Sequence, residues 1–250
     1  MLDTSVEMAL GTLARSQMGL TSLSIGRIDA EDMARVQSIG RRLAPVSDRQ
    51  DLHLQFGVIQ EKTPNAFTLP GGTIYVHTGI LDRVATDDEL ASVIAHEIGH
   101  VAARHVAKHL QADLGFTAAL QLARAIGVGP ESARVADSVY DLFSRGFSRQ
   151  DELEADRLAI RYLQRAGYNP WALVSFFEKL QAEEPTGPLD HAPVWQSTHP
   201  LTSERITRAK EELCRVAKQK FCPTCGRDYP PQTRFCEKDG APLKEKRRVL

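Results

Sequence analysis

The sequence predicts an α+β domain that is mostly helical, with a small sheet, followed by a short cysteine-rich tail. Apolar residues recur at helical spacing along most of the chain, whereas alternation of apolar and polar residues is confined to residues 51–78. All four cysteines lie beyond residue 213, so no disulfide framework is expected in the main domain. We therefore predict two domains, at residues 1–218 and 219–250.

The elements of the first domain follow from local patterns. Residues 6–43 have helical periodicity with a break near residues 19–26. Alternation then predicts three strands, at 51–59, 64–69 and 73–78. Thr86 and Glu89 form a capping box that starts the next helix, whose periodicity continues to Leu110. Further helices are predicted at 112–127, 131–145, 149–165, from Asn169 onward and at 202–218, with a loop at 183–200.

Composition excludes some classes of function. The 250 residues carry a formal net charge of −1 and only 6% aromatic residues, so nucleic acid is not an expected partner. No apolar run is long enough for a transmembrane helix, and no basic region precedes an apolar one at the N-terminus, so no signal peptide is predicted. The expected location is cytoplasmic if Met1 is the native start. Otherwise it is the bacterial periplasm or envelope, with peripheral association.

The segment His96-Glu97-Ile98-Gly99-His100 carries the strongest chemical signal. Residues four apart on a helix share a face, so both imidazoles can bind one metal ion. Glu97 lies about 100° around the helix from His96, off the line of the ligands and near the open position of the ion. This arrangement is typical of a zinc hydrolase whose glutamate acts as general base toward a zinc-bound water. The alternative is a pair of histidines with a structural role.

Two further histidines follow on the same predicted helix. If that helix is continuous, His105 lies about 180° and His109 about 220° around it from His96. Neither side chain is therefore expected to be a ligand, and both are predicted to have structural or solvent-exposed roles.

A catalytic zinc needs a third protein ligand, for which the helix at 149–165 offers a candidate. Glu152 and Asp156 are four residues apart and share a face. Glu152 can bind zinc while Asp156 accepts a hydrogen bond from the other nitrogen of a ligand histidine, which fixes its tautomer. The alternative is a solvated acidic face, because Asp151 and Glu154 are also acidic.

At this point the sequence resembles the gluzincin metallopeptidases that include HtpX and the type-one CAAX prenyl protease, especially their soluble bacterial members. The resemblance covers about residues 5–213 and implies a zincin-type fold. The matching pieces, in order, are Asn65-Ala66-Phe67, Pro70-Gly71-Gly72, His96-Glu97-Ile98-Gly99-His100, Glu152-x-x-Ala155-Asp156, and His199-Pro200 followed by Arg205-Ile206.

The resemblance implies roles for individual residues. Glu152 would be the third ligand, and His199 would overhang the zinc as a transition-state donor or as a gate. Arg205 would help to hold the His199 loop or the substrate. The strand from Thr73 to His77 would be an open edge that pairs with a substrate peptide through its backbone. The residues assigned to this substrate strand are Asn65, Thr73, Ile74, Tyr75 and Val76.

The tail looks like a zinc ribbon that would hold a second, structural zinc ion. Cys222 and Cys225 form one pair of ligands at i and i+3, and Cys236 and Asp239 form the other. Asp239 stands where a second cysteine is usual. Cys214 is the rival fourth ligand, and a tail without metal is the remaining alternative.

The combined prediction is a zinc endopeptidase. Its expected substrates are unfolded or misassembled soluble proteins, because the chain lacks the membrane helices of HtpX and the prenyl protease. Two alternatives from other classes remain. One is a non-catalytic chaperone or adaptor that keeps the zinc fold, against which the intact Glu97 argues. The other is a tail that binds nucleic acid or a protein partner.

Overall fold

A computed structural model describes residues 2–20, 22–114, 146–182, 198–200, 203–217, 220–229 and 233–245. The predicted helix at 131–145, most of the one at 112–127 and most of the loop at 183–200 lie outside these residues. The helices are α1 (Thr4–Gln17), α2 (Ala30–Leu43), α3 (Thr78–Leu81), α4 (Asp87–Ala102), α5 (His105–Leu114), α6 (Arg149–Ala166), α7 (Ala172–Ala182) and α8 (Ser203–Ala217), with a short 3-10 turn at Ala44–Val46. The strands are β1 (Ser24–Ile25), β2 (Gln55–Ile59), β3 (Ala66–Leu69), β4 (Thr73–His77), β5 (Lys220–Phe221), β6 (Asp228–Tyr229) and β7 (Lys244–Glu245).

The main sheet has four strands in the order β1-β2-β4-β3, and only β3 is antiparallel to its neighbour. The hairpin between β3 and β4 turns at Gly71 and Gly72, whose φ angles of +78° and +86° favour glycine. The mostly helical α+β class is confirmed. The short strand β1 falls in the predicted break between the first two helices.

The predicted open edge at Thr73–His77 is wrong. This strand, β4, pairs with β3 on one side and with β2 on the other, so its backbone is not available to a peptide. The hairpin partner β3 pairs with one side of β4. The parallel strand β2, which follows α2 in the chain, pairs with the other. Ile74, Tyr75 and Val76 are fully buried, as expected for an unbroken apolar run in an interior strand.

Helix α4 lies between the sheet and α6, and every residue from Glu89 to Val101 is buried. Thr86 caps it as predicted, since its hydroxyl accepts a hydrogen bond from the Glu89 amide at 3.2 Å. Gly99 permits the close approach of α6, because a Cβ at this position would lie 2.7 Å from the Ala155 carbonyl oxygen. This contact sets α4 and α6 side by side with their polar motifs facing each other.

The helix that was predicted to continue to Leu110 is in fact broken. Helix α4 ends at Ala102, and Arg104 has a left-handed φ of 60° before α5 begins. The buried Glu7 carboxylate binds Arg104 Nε at 2.5 Å and Arg49 Nη2 at 3.0 Å, while Arg49 Nη1 donates to the Val101 carbonyl at 3.1 Å. These long-range ion pairs stabilise the turn, and the local sequence gives no sign of them.

The remaining predicted helices agree with the structure where it describes them. Ser148 and Asp151 form a capping box at the start of α6, and Gly167 ends this helix with a φ of +75°. None of the described helices combines the length and apolarity needed to span a membrane. The tail folds as a three-stranded antiparallel sheet in the order β6-β5-β7.

Candidate active site and metal centres

Four buried side chains converge between α4, α6 and the segment before α8. His96 and His100 come from α4, Glu152 from α6 and His199 from residues 198–200, and one ligand atom of each lies within 4.8 Å of all the others. The two histidine Nε2 atoms of α4 are 3.0 Å apart. Each is also 3.4 Å from one oxygen of Glu152. His199 Nδ1 lies 3.3 Å from His96 Nε2 and 3.1 Å from Glu152 Oε1.

The convergence fits a metal ion. Three imidazole nitrogens and a carboxylate form a donor set that zinc accepts, and buried donors at these spacings satisfy one another poorly without a shared cation. The helical face shared by His96 and His100, and the position of Glu152 on the facing helix, agree with the sequence-based prediction.

Glu97 lies beside this group but outside it. Its side chain is fully buried, and neither carboxylate oxygen receives a hydrogen bond from the described part of the chain. Among the described residues, His199 Nε2 lies 3.4 Å from its Oε1. Burial raises the pKa of Glu97, which His199 and His96 oppose only in part. Such a carboxyl group is suited to accept a proton and to give it back.

Arg205 pairs with both carboxylates, Glu152 and Asp156, that α6 directs toward the site. Its Nη1 is 2.6 Å from Glu152 Oε2, and its Nε and Nη2 bind the two oxygens of Asp156 at 2.8 and 2.7 Å. Burial alone would raise the pKa of Glu152 and of Asp156. The Arg205 guanidinium and the neighbouring histidines together outweigh burial and lower both pKa values, that of Glu152 well below its usual range. Both groups are therefore carboxylates at neutral pH.

The family model named peptidase family M48 matches residues 30–213, which include this whole group. The chain belongs to peptidase family M48. It is 34% identical over 195 residues to mitochondrial metalloendopeptidase OMA1 of Schizosaccharomyces pombe, 32% over 188 residues to the β-barrel assembly-enhancing protease of Escherichia coli K12, and 31% over 193 residues to metalloprotease LoiP of the same strain. These matches cover 76%, 70% and 76% of this chain.

The matches confirm the predicted enzyme class, a metalloendopeptidase, and the zincin-like fold. The narrower likeness to HtpX and the prenyl protease is not supported, because the relatives found are OMA1, the assembly-enhancing proteases and LoiP. The chain spans 56% of the OMA1 sequence, 37% of the E. coli assembly-enhancing protease and 74% of LoiP.

In this M48 chain, Asp156 lies where the sequence predicted, with Oδ1 2.9 Å from His96 Nδ1. Arg205 also donates to the carbonyl oxygens of His199 and Pro200, at 3.4 and 3.2 Å. Its side chain is only 1% exposed. Of the two predicted alternatives, the structure favours holding the loop over contacting a substrate. Arg205 is therefore placed to position the loop, and its catalytic role stays a prediction.

The residues predicted for a substrate strand are all buried and do not form an open edge. Asn65 uses its side-chain oxygen to accept a hydrogen bond from the Thr198 hydroxyl at 3.2 Å, next to His199. Thr73 is buried, and β4 is interior to the sheet. Among the described residues, β3 is the strand of this hairpin that pairs on one side only.

The contacts of His100 with two aromatic neighbours were not predicted from the sequence. Phe147 stacks on the His100 ring, with centroids 3.9 Å apart. His105 places Nδ1 2.9 Å from His100 Nδ1. The rejection of His105 as a metal ligand agrees with this placement, but the reason given, a continuous helix, is wrong. The break after α4 could not be predicted from the local sequence, because the turn there is stabilised by the distant residue Glu7, which pairs with Arg104.

The tail brings together the four residues predicted for a second site. One ligand atom from each of Cys222, Cys225, Cys236 and Asp239 lies within 4.8 Å of the others. Cys222 Sγ is 3.4 Å from Asp239 Oδ2, and the Cys225 and Cys236 sulfurs are 3.6 Å apart. Cys214 is an exposed residue of α8 and is not part of this group.

Proposed function

We propose that this M48 chain is a zinc-dependent endopeptidase that hydrolyses peptide bonds of unfolded or misassembled proteins. The observation that carries the proposal is the convergence of His96, His100 and Glu152 beside Glu97, whose carboxylate accepts no hydrogen bond from the described residues. A non-catalytic chaperone that had kept only the fold would not need this glutamate. Its presence favours the enzyme over the chaperone.

In the proposed mechanism, His96, His100 and Glu152 would hold the zinc. When bound, the ion would polarise the scissile carbonyl and lower the pKa of a water molecule toward about 7. Glu97 accepts the proton of the attacking water at its carboxylate and passes it to the departing amine nitrogen. The low-dielectric surroundings strengthen this acceptor, because no described group donates a hydrogen bond to it.

Asp156 and Arg205 would support these steps without touching the substrate. Asp156 accepts a hydrogen bond from His96 Nδ1, which leaves Nε2 with its lone pair toward the metal. Arg205 helps to keep Glu152 ionised and ties the backbone of His199 and Pro200 to α6. The residues around the zinc would therefore be fixed before a substrate binds.

The proposed substrate class rests on the relatives. One of them is a β-barrel assembly-enhancing protease, whose name links a similar domain to the assembly of other proteins. We expect purified protein to degrade casein, to lose this activity with a chelator and to recover it with added zinc. Activity that is unaffected by complete removal of zinc would exclude the proposal.

We assign His199 to the gate rather than to transition-state donation. Its ring lies between the ligand group and Glu97, where it would obstruct an attacking water and a scissile carbonyl. We expect His199→Ala to raise casein turnover severalfold and to leave zinc affinity within about threefold, since three ligands remain. Equilibrium competition with a chromogenic chelator measures the affinity. A loss of turnover approaching the 10²-fold expected for a proton donor would favour the donor role instead.

A second, structural zinc is proposed for the tail. Three thiolates and one carboxylate complete a closed four-coordinate site, which would not bind substrate or react. So short a segment has a very small core, made by Cys222, Tyr229 and Cys236. Metal binding would therefore supply much of its folding free energy.

The second zinc can be counted directly. We expect two zinc ions per reduced full-length chain and one in a protein that ends at Lys218, with casein turnover retained. Asp239→Ala should weaken the tail site, whereas Cys214→Ala, which removes the exposed cysteine of α8, should not. A single zinc that disappears completely in His96→Ala would contradict the second site.

A further inference from the structure

His105 lies directly behind one of the two histidines of the ligand group. His100 directs Nε2 toward His96 and Glu152, and its other nitrogen, Nδ1, is 2.9 Å from His105 Nδ1. Both imidazoles are fully buried, so no bulk water competes for this contact. The spacing is that of a hydrogen bond between two ring nitrogens.

The positions of the protons follow from the two ends of this pair. His100 must keep the lone pair of Nε2 for a metal, so its proton is on Nδ1, and His105 Nδ1 must then be the acceptor. His105 consequently carries its own proton on Nε2. That atom donates a hydrogen bond to Glu154 Oε2 at 3.4 Å and also lies 3.3 Å from Asp151 Oδ1.

The result is a chain of hydrogen bonds that leads from the surface of α6 to the ligand group. At the outer end of this hydrogen-bond chain, the Glu154 side chain is 41% exposed. At its inner end, His105 and His100 are buried. Asp151 also bonds to His109 at 3.0 Å. His96 has a shorter arrangement of the same kind, in which Asp156 contacts its Nδ1 directly at 2.9 Å. The two histidines of α4 are therefore oriented by chemically different partners.

The break between α4 and α5 makes this chain geometrically feasible. On a continuous helix His105 would point away from the face of His96 and His100. The left-handed turn at Arg104, which Glu7 stabilises, redirects α5 so that His105 lies over His100. The turn between α4 and α5 therefore determines that His105 contacts His100.

We propose that His105 is a positioning residue that fixes the tautomer and ring orientation of His100 through this hydrogen-bond chain. The proposal rests on the zinc site of the proposed function. Outer partners of this kind typically contribute about 10–100-fold to metal affinity. Loss of such a partner is therefore expected to lower the metal affinity, and to lower turnover as a consequence.

Glutamine and methionine at position 105 separate positioning from packing. The two side chains have similar size, but glutamine can accept from His100 with its oxygen and donate to a carboxylate with its nitrogen. We expect His105→Met to weaken zinc affinity by about 10–100-fold in chelator competition, and His105→Gln to stay within about fivefold of the unsubstituted protein. His109→Ala is the matched control, because His109 binds the same Asp151 without touching His100, and it should stay within about twofold.

Equal losses in the glutamine and methionine variants, or no loss in either, would overturn the proposal. The unsubstituted protein is measured alongside, and if it neither binds zinc nor degrades casein, the proposed function itself fails. Nitrogen-15 NMR of the zinc-loaded, unsubstituted protein tests the proposal without any substitution. It should show His105 protonated at Nε2 and not at Nδ1, and a proton on His105 Nδ1 would exclude the chain described here.

Discussion

Glu97→Gln is expected to reduce casein turnover by about 10²–10⁴-fold while the chain still binds one zinc at the site on α4 and α6. The amide cannot accept a proton from water, yet it preserves the size of a fully buried side chain. Glu97 lies outside the group formed by His96, His100, Glu152 and His199, so zinc affinity should change little. Turnover is measured with equal amounts of zinc-loaded protein, and zinc by elemental analysis.

The matched control for this experiment is Glu89→Gln on the same helix. Glu89 is buried near the first turn and pairs with Lys179 at 2.6 Å, remote from the ligand group. This variant reports the effect of removing a buried negative charge from α4 without touching the chemistry, and its turnover should remain close to normal. Near-normal turnover in Glu97→Gln would eliminate Glu97 as the general base.

Glu152→Gln and Glu152→Ala are expected to lower zinc affinity by more than the roughly 10–100-fold attributed to an outer partner. The substitution removes a ligand and also one of the two carboxylates that neutralise the buried Arg205. The glutamine variant keeps the volume of the side chain and separates loss of the ligand from a loss of packing. Chelator competition gives the zinc affinity, and thermal unfolding of the metal-free protein reports the structural cost.

Glu154→Ala provides the matched control on the same helix. Glu154 lies about 200° around α6 from Glu152 and is 41% exposed. Its removal should change zinc affinity by no more than about threefold, because Asp151 still contacts His105. If Glu154→Ala released the zinc and Glu152→Ala did not, the assignment of the third ligand would be wrong.

The sequence by itself determined the chemistry at the centre of the site. Helical spacing places His96 and His100 on one face, and the same rule pairs Glu152 with Asp156, because both relations involve residues four apart within one helix. The capping residues Thr86 and Ser148 are equally local, which explains why the starts of α4 and α6 were predicted well. The i and i+3 spacing in the tail likewise identified a group that the structure brings together.

Only the tertiary structure decided the features that depend on contacts between distant segments. Strand β4 is interior because β2 pairs with it in parallel, and a parallel partner is not specified by the sequence of β4 itself. Helix α4 breaks before His105 because Glu7, far away in the chain, binds Arg104. Arg205 is buried between Glu152 and Asp156 because α8 packs against α6. Local periodicity reports which face of an element is apolar, whereas buried ion pairs and strand order arise only when the elements pack.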